Sequence, residues 1–197
     1  MSNQPDSPGN GNAEQPPQGP SSQPLKYDPI GARVPDHVAA GVFSTGVIVM
    51  DGQEEFVVDF IQGIAKPLRV AARVVLGPQV MSQFIEALKK NLAKYEQAFG
   101  KPPELPRSNT DRRPSPKEVY KGLKLPEEVF SGAYANTVRI AHSPAEFHLD
   151  FITRFFPTAA VSARVYMAAP QVPRLIESLS ASFQNFLKKK QNPPDTT

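Results

Sequence analysis

Glu54–Gln62 reads EEFVVDFIQ, and ninety-one residues later Ala145–Thr153 reads AEFHLDFIT. The shared pattern is Glu-Phe-x-x-Asp-Phe-Ile. Within it Phe56, Val58 and Phe60 alternate with Val57, Asp59 and Ile61, the period of a half-buried strand. Phe147, Leu149 and Phe151 alternate in the same way with His148, Asp150 and Ile152. Each strand therefore offers an apolar face to a core and carries an aspartate on the other side.

The same offset extends far beyond these strands. Pro35 meets Pro126, Gly41 meets Gly132, Phe43 meets Tyr134 and Val47 meets Val138. Ala72-Arg73-Val74 meets Ala163-Arg164-Val165, and Ile85-Glu86 meets Ile176-Glu177. A register held without a gap from Val34 to Phe99 marks an internal duplication.

Each copy has one grammar. Val42–Met50 is β-branched and apolar, and Asp51-Gly52 supplies a turn. The alternating strand follows, then a looser stretch with Gly63 and Pro67, then a third strand over Val70–Leu76. After Gly77-Pro78 the period changes. Met81, Phe84, Ile85, Leu88, Leu92, Tyr95 and Phe99 recur at three and four, which predicts an amphipathic helix ending at Gly100. In the second copy the helical face is Val172, Leu175, Ile176, Leu179, Phe183 and Phe186, closed by Lys188-Lys189-Lys190. The expected fold is α+β. It is a duplicated β-β-β-α unit with antiparallel sheets, one helix on each, paired into a pseudo-two-fold domain.

Composition divides the chain. Residues 1–33 are rich in Pro, Gln, Ser and Gly and bury too little apolar surface to order, so they are expected to be a disordered tail. Repeat one spans 34–100 and repeat two 125–190. Between them, 101–124 is a Pro-rich linker with seven Lys/Arg against three Asp/Glu, read as a solvated spacer. Residues 191–197 form a second tail. No apolar run is long enough to cross a bilayer and no signal-like start is present, so the expectation is a soluble cytoplasmic protein without membrane contact. The absence of Cys removes disulfides and thiolate ligands.

Side-chain chemistry is sparse. On the third strand Arg73 and Arg164 point away from the helix, as Asp59 and Asp150 do on the second. The reading is a cross-strand ion pair in each unit, Asp59 with Arg73 and Asp150 with Arg164, which fixes register. One carboxylate and one guanidinium are not a catalytic set. His142 and His148 match no zinc template and are read as scattered surface histidines. There is no phosphate-cradling Gly loop and no nucleophile elbow. No cofactor, metal or enzymatic activity is expected.

The outer sheet faces are the remaining candidates. Repeat one places Ile48, Met50, Val57, Ile61, Ala71 and Val75 around its ion pair, too apolar a set for an open face. Repeat two places Thr137, Arg139, His148, Ile152, Ser162 and Tyr166 there, a more mixed set. The candidate interaction surface is Ile48, Met50, Val57, Ile61, Val75, Arg139, Arg154 and Tyr166.

Gly41-Val-Phe-Ser-Thr45 and Gly132-Ala-Tyr-Ala-Asn136, Glu-Phe-x-x-Asp-Phe, the paired Ala-Arg-Val and the ending Tyr95-Glu-Gln-Ala-Phe-Gly100 resemble the bacterial and archaeal domain of unknown function 3467. The resemblance covers about two thirds of the chain and implies a tandem version of a domain with no assigned activity. The second copy departs from the ending, with Phe186 and a Lys run. Two functions follow as expectations. One is a non-enzymatic protein-binding or assembly module, scaffold- or chaperone-like, with a protein partner or self-association through the apolar outer face. The other is a single-stranded nucleic-acid-binding or transcription-associated module, using Tyr166, Phe155, Phe156, Arg139, Arg154, Arg164 and the linker arginines Arg107, Arg112 and Arg113.

Overall fold

The chain is a computed structural model that describes residues 31–106, 116–155 and 157–191. The tail up to Ile30, the linker arginines Arg107, Arg112 and Arg113, Phe156, and the end beyond Gln191 lie outside the described residues.

A four-residue helix, α1 (Asp36–Ala39), leads into β1 (Val42–Ser44), β2 (Gly46–Asp51), β3 (Phe56–Gln62) and β4 (Leu68–Leu76). The long helix α2 (Pro78–Phe99) follows. Then come α3 (Pro116–Lys121), β5 (Leu123–Lys124), α4 (Glu127–Phe130), β6 (Ala133–Ala135), β7 (Thr137–His142), β8 (Glu146–Arg154), β9 (Ala159–Ala168) and α5 (Val172–Gln191). Among the described residues the chain is mixed α/β, with two sheets and five helices. Arg33, placed by composition in the tail, bridges Ala160. The stretch read as a plain spacer holds α3 and β5, and β5 pairs with β4.

The strand expected over Val42–Met50 is two strands in two different sheets. β1 runs parallel to β9, with Val42 opposite Val165 and Ser44 opposite Met167. β2 returns antiparallel to β3. The second copy does the same: β6 runs parallel to β4, with Ala133 opposite Val74, and β7 pairs antiparallel with β8. One sheet is therefore ordered β1-β9-β8-β7, and the other β2-β3-β4-β5 with β6 also on β4. The purely antiparallel expectation is corrected to mixed sheets, each closed by a short parallel strand from the other repeat.

Backbone bonds at the break explain it. The buried Ser44 hydroxyl donates its one proton to Gly46 O at 2.8 Å, with Ile61 O at 3.2 Å as the alternative acceptor, and Thr45 N donates to Ile61 O. In the second copy Asn136 N donates to Ile152 O, while its side-chain Oδ1 accepts from Arg154 N at 2.8 Å. These local side-chain bonds compete with straight strand pairing and turn the chain out of one sheet. Hydropathy cannot show this, because the residues on both sides are good strand formers.

The helices also cross over. The sequence reading set each helix on its own sheet, but α2 packs on β7 and α5 on β2. Phe56 of β3 stands 5.0 Å from Phe186 and 5.9 Å from Phe183, both on α5. Tyr95 of α2 stands 5.4 Å from Phe147 of β8 and donates to Pro144 O at 2.9 Å. Phe60 and Phe151, the matching residues of the two repeats, touch at 5.4 Å. Met81, Leu88, Leu175 and Leu179 fill the space between, in one continuous apolar core. Each fully buried Phe or Leu contributes about 2 kcal/mol, and most of these contacts span the repeats.

A β-bulge interrupts β4. The β3–β4 register shifts between Phe60 and Ile61, so Ile61 lies opposite Val70 and Ala71 is the extra residue. β3 keeps an unbroken register with β2, so Ile61 stays on the side of Asp59 and Val57, half-buried. It is the β4 residues before Ala71 whose faces invert, which sets Val70 beside Ile61. The same shift occurs opposite Ile152, which is buried with Val38 and Val161 in a small second cluster apart from the main core.

Gly41 and Gly132 make the crossover close. Both have positive φ, 64° and 75°. A Cβ on Gly41 would lie 2.6 Å from Tyr166 and 2.7 Å from Arg164. Gly41→Ala is therefore expected to lower stability by about 1–3 kcal/mol from strain and clash. Gly46→Ala, with open space and no positive φ, is the control. Thermal melts check it, with a clear drop in Tm expected for Gly41→Ala alone.

Candidate functional site

Two ion pairs organise the outer faces. In the first sheet pair Arg73 lies directly opposite Asp59. Its Nε and Nη2 donate to the two carboxylate oxygens at 2.8 Å each, and Nη1 donates to Phe130 O at 3.0 Å. Arg164 lies opposite Asp150. Its Nε and Nη2 reach the carboxylate at 2.7 and 3.1 Å, and Nη1 donates to Ala39 O at 3.2 Å. Both aspartates are fully buried. The carbonyls they reach end α4 and α1, the short helices that precede the exchanged strands β6 and β1. Each guanidinium thus bonds its own sheet and the segment arriving from the other repeat.

The remaining carboxylate capacity is met differently on the two faces. Asp59 accepts the Tyr120 hydroxyl from α3, a side chain that also lies 3.8 Å from Met50 Sδ. Burial, then the adjacent Asp59 carboxylate, pushes the Tyr120 hydroxyl up to about 12. Among the described residues, no tyrosine hydroxyl reaches Asp150. It accepts from Arg139 Nη2 and meets His148 Nε2 at 2.7 Å. Burial works to raise the Asp150 carboxyl, but the hydrogen bonds from Arg164 and Arg139 and the charge of His148 outweigh it and hold it at about 2. Arg73 and Arg164 are raised above the ordinary guanidinium value, chiefly by their aspartate hydrogen bonds.

Register turns the second face into an ordered surface. Phe43 on β1 lies opposite Tyr166 on β9, Tyr166 opposite His148 on β8, and His148 opposite Ala141 on β7. These form one rung across four strands. Two residues along the strands, Arg164, Asp150 and Arg139 form another. The His148 and Tyr166 rings are stacked, 4.9 Å apart and 23° from parallel. Phe43 is 38% exposed, and the Arg139 and His148 side chains are 39% and 28% exposed. In repeat one the matching rung is Tyr134, Val75, Val57 and Met50.

Of the residues proposed from sequence, Ile48, Met50, Val57 and Val75 are half-buried on the face that Tyr120 covers. Ile61 is also half-buried, opposite Gly46 and Val70. Arg139 and Tyr166 come together with His148 on the open face, while Arg154 lies at the end of β8, bonded through its backbone to Asn136. Sequence reasoning missed Tyr120, which sits in the supposed spacer. It also missed Phe43 as a face residue, since that depends on the strand crossing, and it set His148 aside as scattered.

The family model described as protein of unknown function, DUF3467, matches residues 6–102 and again 107–191. The chain belongs to the DUF3467 family. It carries the domain twice, in tandem. No curated protein matches it. In DUF3467 terms the Gly-x-Phe/Tyr start is the crossover glycine plus the exchanged strand, and Ala-Arg-Val is the strand that presents the latching arginine. The Tyr-Glu-x-x-Phe-Gly ending places Tyr95 under the other copy's turn. Among the described residues no group of three His, Asp or Glu could hold a metal, and no helix is long and apolar enough to cross a membrane.

Asp150 sets a pH dependence. Its pKa is depressed in the folded state, so its contribution is present above the ordinary carboxylate value of 3.8 and is lost as pH falls toward about 2. That contribution is about 2 kcal/mol. Asp150→Asn leaves the Arg164 and Arg139 guanidinium groups around a neutral amide, and the expected loss near neutral pH is about 3 kcal/mol. Urea melts between pH 2 and pH 6 check it. The gap between wild type and Asp150→Asn should narrow as pH falls below about 4.

Proposed function

We propose that this DUF3467 protein is a non-enzymatic binding module, a pseudo-two-fold pair of exchanged β-β-β-α units. Its ligand face is the outer side of the β1-β9-β8-β7 sheet. One observation carries the reading. The two outer faces keep the same Asp–Arg pair but differ around it: Ile48, Met50, Val57 and Val75 are replaced at matching positions by Arg139, Ala141, His148 and Tyr166. Tyr120 lies against Met50 of the first set and against its Asp59–Arg73 pair, whereas Arg139 and His148 of the second keep 39% and 28% of their side chains exposed. Polar and aromatic side chains held in place yet left open are what a recognition surface needs.

The apolar outer face of repeat one was the argument for self-association. That argument weakens, because Tyr120 lies on this face and because the chain supplies its own second copy. A protein-assembly reading keeps one observation. Tyr134 and Phe155, 47% and 57% exposed, stack at 5.9 Å.

The test is backbone amide NMR on the full chain with single-stranded oligonucleotide, duplex DNA and an acidic peptide added in turn. The expected result is that a ligand moves the resonances of Tyr166, His148 and Arg139 and leaves Met50 and Val57 in place. Shifts centred on Tyr134 and Phe155 instead would move the function to the assembly reading.

A further inference from the structure

Resting on the reading that the β1-β9-β8-β7 face binds a ligand, we infer that the ligand is single-stranded nucleic acid. The argument is the order of chemistry across the sheet. Three neighbouring strands present Phe43, Tyr166 and His148 in one rung. The stack of His148 on Tyr166 ends at Tyr166, and the next strand offers Phe43, exposed and in register. A nucleobase continues that stack on the Phe43 side; every base has a π-face, so such contacts tolerate sequence.

The adjacent rung supplies the cation. Asp150 is fully buried beneath Arg164, Arg139 and His148, so its charge is spent inside the sheet. Arg164 is consumed by Asp150 and Ala39 O. Arg139 gives one nitrogen to Asp150 and keeps its side chain 39% exposed. It is therefore a guanidinium held one rung from an aromatic platform, so a single strand meets a stacking face and a cation on the same surface. An acidic peptide would use the guanidinium but gives no role to the aromatic row. A duplex hides the base faces that the row would stack on. The other outer face, with Tyr134, Val75, Val57 and Met50 in the matching rung, has one aromatic at its edge instead of a row of three, and Ile48 where the open face has Arg139.

The test is fluorescence anisotropy with labelled oligothymidine and oligouridine, and a duplex control, on the full chain across a salt series. Both single strands are expected to bind at low salt and the duplex to bind much more weakly. Phe43→Ala and Tyr166→Leu should each weaken binding about tenfold, the range of one lost base stack. Arg139→Gln should flatten the dependence of log K on log salt by about 0.7, one phosphate contact. Met50→Ala on the other face should change nothing. Phe43 is exposed and outside the core, so its variant keeps the inference testable if Tyr166→Leu does not fold. No binding of either single strand at low salt, or binding indifferent to Phe43→Ala, overturns the inference. If an acidic peptide moves the Tyr166 and His148 resonances while oligonucleotides do not, the ligand class is wrong and the binding face stands. If no ligand moves them, both fall.

Discussion

The fold depends on an arginine that holds two things at once. Arg73 grips Asp59 on the neighbouring strand and the Phe130 carbonyl at the end of α4. Arg164 grips Asp150 and the Ala39 carbonyl at the end of α1. The carboxylate has no solvent, so the pair must be complete. Completing it fixes the register of β3 on β4 and of β8 on β9. The third guanidinium nitrogen then fastens the short helix that feeds an exchanged strand. Gly41 and Gly132 allow the approach, because any side chain there would strike the arginine stem that does the fastening.

From this latch the rest follows. β1 and β6 lie parallel along the last strand of the other repeat, and α5 and α2 lie over the other repeat's first hairpin. Neither repeat encloses its own core. Phe56 needs Phe186, and Phe147 needs Tyr95. A small three-stranded sheet with one helix is a weak unit alone, and exchange gives each sheet an extra strand and a partner helix. Tandem fusion keeps the two halves at one-to-one stoichiometry. It also frees them to diverge: one Asp–Arg pair is covered by Tyr120, while the other is completed by Arg139 and His148 on an open surface.

Much of this was legible in the residues. The duplication, the strand and helix periods, and the opposition of Asp59 to Arg73 and Asp150 to Arg164 follow from a fixed offset and a period of two. Three features were not legible, each for a physical reason. The break at Ser44 and Thr45 is made by side-chain bonds to the backbone inside an unbroken apolar run. The bulge at Ala71, which sets Val70 beside Ile61, is a register shift that composition does not mark. Which helix covers which sheet is a topological choice, and identical repeats give identical amphipathic patterns whichever partner they meet. The open face was half visible. Arg139, His148 and Tyr166 could be read as sharing a side, but Phe43 joins them only once β1 is known to cross.

The central claim is that the two repeats form one cooperative unit, each completing the other. Native-state hydrogen exchange on the full chain with Leu149→Ala tests it most directly. Leu149 is a fully buried residue of β8, and its truncation should cost about 2–5 kcal/mol. The account predicts that the core amides of β3 in the other repeat, Val58 and Phe60, lose as much protection as those of β8. Loss confined to β8 and β9, with β3 unchanged, would contradict it.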